Sequence, residues 1–161
     1  MTIEGEVTGS IQNFTTVYDL ATAMMSETNN FEGNTGSLAP TTAEADANAP
    51  AILVDATSGK LGKNNNDWAQ LNAGTMLTIP GVPEGAQVTF ALYNTTALTI
   101  DGVAYTNGQT FTAAKDVNLN MTCTTGGYIK SITVEGPAFV EVSDNSTYTN
   151  TWYFGKSNGA P

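Results

Sequence analysis

The chain has 161 residues, of which 40% are hydrophobic, and a formal net charge of −10. That hydrophobic content is too high for a disordered protein. Five lysines and no arginine exclude the clustered cations that nucleic-acid binding requires. With no histidine and a single cysteine, Cys123, the chain has no His-based metal site, no Ser-His-Asp triad and no internal disulfide. No apolar run approaches the ~18 residues of a membrane span, so we expect no membrane partner.

Alternation of apolar and polar residues predicts short β-strands through most of the chain. Before the first core strand, residues 20–25 are helix-like but too short to matter, and residues 26–50 are predicted to form a surface loop. The predicted strands cover residues 15–20, 52–54, 76–79, 88–93, 97–100, 117–123 and 128–134. Turn residues at 80–85, 101–102, 107–108 and 126–127 separate them. This pattern predicts an all-β fold, an antiparallel, jelly-roll-like β-sandwich.

Two short segments recur near the ends of the chain. Residues 2–5 (TIEG) resemble residues 133–136 (TVEG), which begin 131 positions later. An aromatic, strand-like segment follows each of them, at residues 15–20 and 150–155. The shared order and period predict tandem modules of the kind found in large extracellular proteins.

The repeat suggests module boundaries. We expect one complete module over residues 14–136. Residues 1–13 are then the tail of an upstream repeat and a linker, and residues 137–161 a linker and the first strand of a downstream repeat. A single domain with two similar edge strands is the alternative. The first residues lack the features of a signal peptide, so the chain is either cytosolic or part of a longer secreted protein, and the repeat favours the second.

The lysines are few enough to weigh one by one: Lys60, Lys63, Lys115, Lys130 and Lys156. Lys60 and Lys63 flank a glycine in an Asn-rich polar loop that contains Asn65 and ends at Trp68. Lys130 lies in the last predicted strand, near Tyr128. Lysines often protect sheet edges, and Lys115 fits that role best. For the other three internal lysines we favour ligand binding.

Several motifs resemble carbohydrate-binding module family 77, a family associated with pectin. The similar segments are residues 55–61 (DATSGKL), 66–75 (NDWAQLNAGT), 79–80 (IP), 98–103 (LTIDGV) and 127–134 (GYIKSITV), within residues 15–135. The resemblance implies a β-sandwich that recognises the acidic backbone of pectin through lysines and is attached to pectin-degrading enzymes of gut or rumen bacteria. It therefore also implies a secreted or cell-surface bacterial protein.

The resemblance places the family's lysines at Lys60 and Lys130. A further basic position, expected after the NAGT segment, is occupied here by Met76. Lys63 can substitute for it if its loop folds over the same face. The resemblance implies homogalacturonan as the ligand. The chemistry is consistent with it, since an ammonium group pairs with a uronate carboxylate through a strong charge-assisted hydrogen bond.

Aromatic side chains offer a second mode of sugar binding. Trp68, Tyr93, Tyr105 and Tyr128 are candidates for a platform that packs on sugar rings, although aromatics in a small sandwich more often belong to the core. Residue parity puts Tyr128 on the same strand face as Lys130, Ile132 and Val134, unless a bulge near the Gly126-Gly127 pair changes that assignment. The predicted ligand-binding residues are Lys60, Lys63, Lys130, Asn65, Trp68 and Tyr128.

Catalysis has little support in the sequence. Acidic residues are available, but no pattern pairs two of them as glycosidases require. We expect no cofactor; a structural Ca²⁺ remains open because the chain is acid-rich, although it has no EF-hand loop. The sequence thus predicts a non-catalytic pectin-binding module that targets an attached enzyme. The alternatives are a structural spacer or adhesin-type repeat, and a module for neutral plant glycans bound by aromatics.

Overall fold

A computed structural model describes residues 9–26, 30–44 and 49–141. These ranges contain the helix α1 (Leu20–Ser26) and the strands β1 (Gly9–Asp19), β2 (Phe31–Glu32), β3 (Thr35–Leu38), β4 (Thr42–Glu44), β5 (Ile52–Asp55), β6 (Lys60–Gly62), β7 (Ala69–Asn72), β8 (Met76–Val82), β9 (Gln87–Leu92), β10 (Ala97–Ile100), β11 (Val103–Tyr105), β12 (Thr110–Thr112), β13 (Val117–Thr125) and β14 (Gly127–Glu141).

The strands form two antiparallel sheets. The front sheet has the order β12-β9-β14-β7-β6-β2, with β1 pairing β14 and β4. The back sheet has the order β11-β10-β13-β8-β5-β3. This arrangement confirms the predicted all-β, sandwich-like fold.

Residues 13–138 form one compact unit. Residues 1–12 and 139–161 are grouped apart from it, and the described part of that second group comprises the first residues of β1 and the last residues of β14. The repeat segments at 2–5 and 150–155 lie outside the described residues. The proposed module boundaries therefore stay a prediction.

The core lies between the two sheets and follows from strand alternation. In β9, Val88, Phe90 and Leu92 are buried, whereas the residues between them are partly exposed. Alternate residues of β13 are buried in the same way, so each sheet contributes one apolar face. Other strands add buried Ile52, Val54, Leu61, Leu71, Leu77, Ile79, Leu98, Ile100, Ile129, Ile132 and Val134.

Local turn chemistry sets the hairpin between β10 and β11. Ile100 pairs with Val103, so the loop consists of Asp101 and Gly102 alone. Both residues have positive φ, 49° and 82°, as a two-residue type I′ turn requires. The turn predicted at residues 80–85 begins later, because β8 continues to Val82.

Two sequence predictions about the N-terminal third are wrong. Residues 26–50 are not simply a surface loop, because they contain β2, β3 and β4, which pair with β6, β5 and β1. They also contribute to the core, because Leu38 is buried in it and Phe31 packs against it. The short helix also matters, since Leu20 and Met24 of α1 are buried in the core.

Candidate functional site on the front sheet

The outer face of the front sheet carries polar and aromatic side chains in two adjacent rows. Across β2, β6 and β7, Glu32 pairs with Lys60 and Lys60 with Asn72; these three residues are the charged row. Across β6, β7 and β14, Gly62 pairs with Gln70 and Gln70 with Tyr128. Leu61 and Leu71 alternate with these residues and are buried, so the two rows face outward.

Lys60 is held in a strand. The sequence placed it in a polar loop, but it is the first residue of β6, and this is a correction. Its backbone N–H donates to Thr75 Oγ1 at 2.8 Å, and that hydroxyl lies 2.8 Å from the Asn72 carbonyl, to which it donates. Thr75 is fully buried. The turn between β7 and β8 therefore fixes the start of β6 and with it the origin of the Lys60 side chain.

The Lys60 side chain lies over Gly62. A Cβ atom at Gly62 would stand 2.9 Å from Lys60 Cε and 3.2 Å from Asn30 Cγ, so an added methyl group would displace the Lys60 side chain. The Lys60 side chain is 21% exposed, and its Nζ lies 3.7 Å from Glu32 Oε1. The ammonium group is therefore partly sheltered on the sheet face and paired with one carboxylate.

A β-bulge directs Lys130 to the same face. The pairing of β14 with β9 shifts register between Ile129 and Ser131. Ile129 and Ile132 are both buried, whereas Lys130 and Ser131 between them are half-buried. The extra residue puts two consecutive side chains outward. The prediction that Lys130 and Ile132 share a strand face is therefore wrong, because Ile132 points into the core.

Three aromatic rings form a cluster beside these rows. Trp68 and Tyr93 meet edge to face with ring centroids 5.1 Å apart, and Tyr93 and Tyr128 do so at 5.8 Å. Tyr93 is 48% exposed and Tyr128 36%, so much of both rings remains open to solvent. We call Trp68, Tyr93 and Tyr128 the aromatic cluster. Such contacts hold the rings in defined orientations.

The loop between β6 and β7 is organised by Asn65. Its Oδ1 accepts the backbone N–H groups of Asp67 at 2.9 Å and Trp68 at 2.8 Å, and its own N–H donates to the Trp68 carbonyl. Asn65 thus positions Trp68 through the backbone. Lys63, in the same loop, is exposed, and its N–H donates to Asn30 Oδ1 at 3.2 Å.

The structure separates the remaining candidates. Tyr105 packs between Phe90 and Phe111, with centroid distances of 5.6 and 6.0 Å, and so belongs with the core. Met76 begins β8 in the back sheet, so the position expected to be basic lies in the other sheet from Lys60. Tyr93 and Glu32 are additional front-face residues. Tyr93 was a sequence candidate for the platform, whereas no sequence signal pointed to Glu32, in a segment predicted to be a loop.

Among the described residues, two titratable groups have shifted pKa values, and both shifts have a local cause. The Thr57 hydroxyl and backbone N–H donate to Asp55 Oδ1 at 2.7 and 3.0 Å and hold the pKa of that carboxyl below its ordinary value. Burial raises the pKa of the Cys123 thiol to about 11, which makes it a poor nucleophile at neutral pH. Neither group belongs to the front face.

Within the described ranges, no three acidic or Cys side chains converge as a metal site would require. In the same residues no helix is long and apolar enough to span a membrane. Comparison of the chain with protein-family models, characterised proteins and solved structures finds no match.

Proposed function

We propose that this protein is a non-catalytic carbohydrate-binding module that binds the acidic backbone of pectin on the outer face of its front sheet. The observation that carries the proposal is the presence on one face of the Lys60 ammonium, Lys130 and the aromatic cluster. Lysines supply charge-assisted hydrogen bonds to uronate carboxylates, and aromatic faces pack on the apolar C–H surfaces of sugar rings.

The candidate residues are spread across the width of four strands of the front sheet, as an extended sugar chain would require. Neighbouring strands lie ~4.8 Å apart, so the step from β6 across β7 and β14 to β9 spans about 14 Å. Lys60 lies at one end of this line and Gln70 and Tyr128 lie in its middle. Tyr93, the residue after β9, lies beside Tyr128 at the other end, where its N–H donates to the Tyr128 carbonyl. A short run of sugar rings laid across the strands would meet the charged row first and the aromatic cluster last.

The net charge of −10 does not prevent binding of a polyanion. At ~0.1 M salt the Debye length is about 10 Å, so distant carboxylates are screened while lysines in contact with the ligand are not. Affinity for a single module should be modest, and tandem modules in a secreted parent protein would raise it through effective concentration.

Affinity electrophoresis in gels containing low-esterified homogalacturonan tests the proposal. We expect strong retardation, which weakens as NaCl rises from about 0.05 to 0.5 M, because surface charges are screened over that range. Xyloglucan and glucomannan gels serve as neutral controls and should leave the mobility unchanged. A protein that runs freely in the pectin gel would contradict the proposal.

A second candidate is a module for neutral plant glycans. The exposure of Tyr93 and Tyr128 favours it, since half-open rings serve a neutral sugar as well as an acidic one. In that case xyloglucan or glucomannan would retard the protein, and salt would have little effect. No retardation in any gel would favour a structural spacer or adhesin-type repeat.

A further inference from the structure

One carboxylate of the protein already occupies the neighbourhood of Lys60. Glu32 on the edge strand β2 pairs directly with Lys60 in the register of the sheet, and its Oε1 lies 3.7 Å from Lys60 Nζ. The Glu32 side chain is 63% exposed, in contrast to the 21% exposure of Lys60. The carboxylate is therefore the part of the pair that an incoming ligand meets first.

A uronate and Glu32 both offer a carboxylate to the Lys60 ammonium, so they compete for the same group. An ammonium has three donors and can contact two carboxylates, but those two carboxylates then repel each other across a few ångströms. A methyl-esterified sugar carries no such charge and approaches Glu32 without repulsion. The charged row, Glu32-Lys60-Asn72, is neutral overall, so it gives no general advantage to a fully charged polymer.

We propose that Glu32 is a specificity-determining residue of this site: it competes with the ligand for Lys60 and so favours partly esterified pectin over the fully de-esterified polymer. The inference rests on the proposed function and adds to it the charge state of the preferred substrate. The free carboxylate of such a ligand would pair with a front-face lysine, and its esterified sugars would lie toward Glu32 and the aromatic cluster.

Glu32→Gln tests this competition with little change in shape. Calorimetry against de-esterified homogalacturonan and against a partly esterified pectin gives two affinities for each protein. We expect Glu32→Gln to bind the de-esterified polymer about two- to fivefold more tightly, as expected for one exposed charge, and the esterified polymer unchanged. Glu32→Lys should act in the same direction and more strongly.

Glu84→Gln is the matched control. Glu84 is exposed in the turn between β8 and β9, and its substitution changes the net charge by the same amount away from the charged row. The control should leave both affinities at the wild-type value. An equal gain in Glu84→Gln would show a general charge effect and overturn the role of Glu32.

The remaining outcomes separate this inference from the proposed function. If the wild type binds pectin and Glu32→Gln has the same preference, the role of Glu32 is wrong and the pectin site stands. Tighter binding of both polymers to the same extent would also overturn it, because a charge competitor must discriminate between them. If neither wild type nor variants bind any pectin, the proposed function fails and the specificity role fails with it.

Discussion

The two outer faces of the sandwich differ in how their polar groups are used. On the back sheet, Thr78 Oγ1 donates to Asn120 Oδ1 at 2.8 Å, and the hydroxyls of Thr99 and Thr124 share a hydrogen bond of 2.8 Å. These groups satisfy one another across neighbouring strands. The front sheet has such pairs too, since Gln70 Nε2 donates to Asn72 Oδ1 at 3.2 Å, but its outer face adds partly exposed aromatic rings and lysines. The difference that makes the front face the candidate site is therefore the charge and ring surface that it offers to a ligand.

Removing the front-face lysines should cause the largest loss of affinity of all the substitutions, and it tests whether the front face differs from the back face in function. We expect Lys60→Ala and Lys130→Ala each to weaken homogalacturonan binding about tenfold or more, as for the loss of a hydrogen bond to a charged group. Lys60→Arg should not restore full affinity, because a planar guanidinium has a different geometry from a compact ammonium. Lys63→Ala, in the exposed loop, should have a partial effect.

Lys115→Ala is the matched control for these variants. Lys115 is exposed in the loop before β13 and lies outside both rows of the front face. Isothermal calorimetry should give it the wild-type affinity. Wild-type affinity in the Lys60 and Lys130 variants as well would contradict the electrostatic mechanism.

Substitutions in the aromatic cluster should have a smaller effect. Trp68→Ala and Tyr93→Ala are expected to reduce affinity about three- to tenfold, because each removes ring surface and loosens its neighbour in the cluster. Tyr105→Ala provides the contrast, since Tyr105 packs on Phe90 and Phe111. It should lower the melting temperature and leave the affinity of the folded protein unchanged. A lowered melting temperature with unchanged affinity in Trp68→Ala and Tyr93→Ala would show that the cluster serves stability alone.

The sequence predicted the back sheet better than the front face. Strand β10 was predicted with its observed bounds and β5 within one residue, because apolar runs next to clear turn residues mark both. Strands β6 and β7 were missed, since three or four residues with one or two inward side chains carry too little periodicity. Their formation depends on pairing with each other and with β2 and β14.

The site was predictable in its residue types and not in its geometry. The rarity of positive charge, the polar loop and the family resemblance all indicate Lys60, Lys130 or Trp68 as site residues. The bulge at Lys130 depends on the pairing of β14 with β9, and no local sequence motif predicts it. Glu32 pairs with Lys60 through strand β2, which has only two residues. Because β2 is this short, the Glu32–Lys60 pair depends on tertiary structure and cannot be predicted from a sequence pattern.

Gly62→Ala tests the position of the Lys60 side chain by adding a single methyl group beneath it. The added Cβ would push the Lys60 side chain away from the sheet without removing its charge. We expect about two- to fourfold weaker pectin binding, a fraction of the effect of losing the hydrogen bond. In a Lys60→Ala background the same substitution should have no further effect, as a double-mutant cycle would measure. A full effect in that background would mean that Gly62 acts independently of Lys60.

The smallest expected effect concerns the back sheet, at the end of β5. Thr57→Ala removes the hydroxyl that donates to Asp55, so the pKa of that carboxyl should rise toward its ordinary value of 3.8. Because the folded-state pKa is lowered, Asp55 stabilises the fold above about pH 4, and this contribution is lost as pH falls through the folded-state pKa. NMR titration of the carboxyl carbon measures the shift, and Thr57→Ser should keep the low value. An unchanged pKa in Thr57→Ala would contradict the assigned cause.

The most direct test of the central claim is an amide chemical-shift titration of the ¹⁵N-labelled protein with a homogalacturonan oligosaccharide. The account predicts shifts concentrated in β6, β7 and β14, with Lys60, Gln70 and Tyr128 among the most affected amides. The amides of Thr78 and Asn120 on the back sheet should remain unshifted. Shifts centred on the back sheet, or no shifts at saturating oligosaccharide, would contradict it.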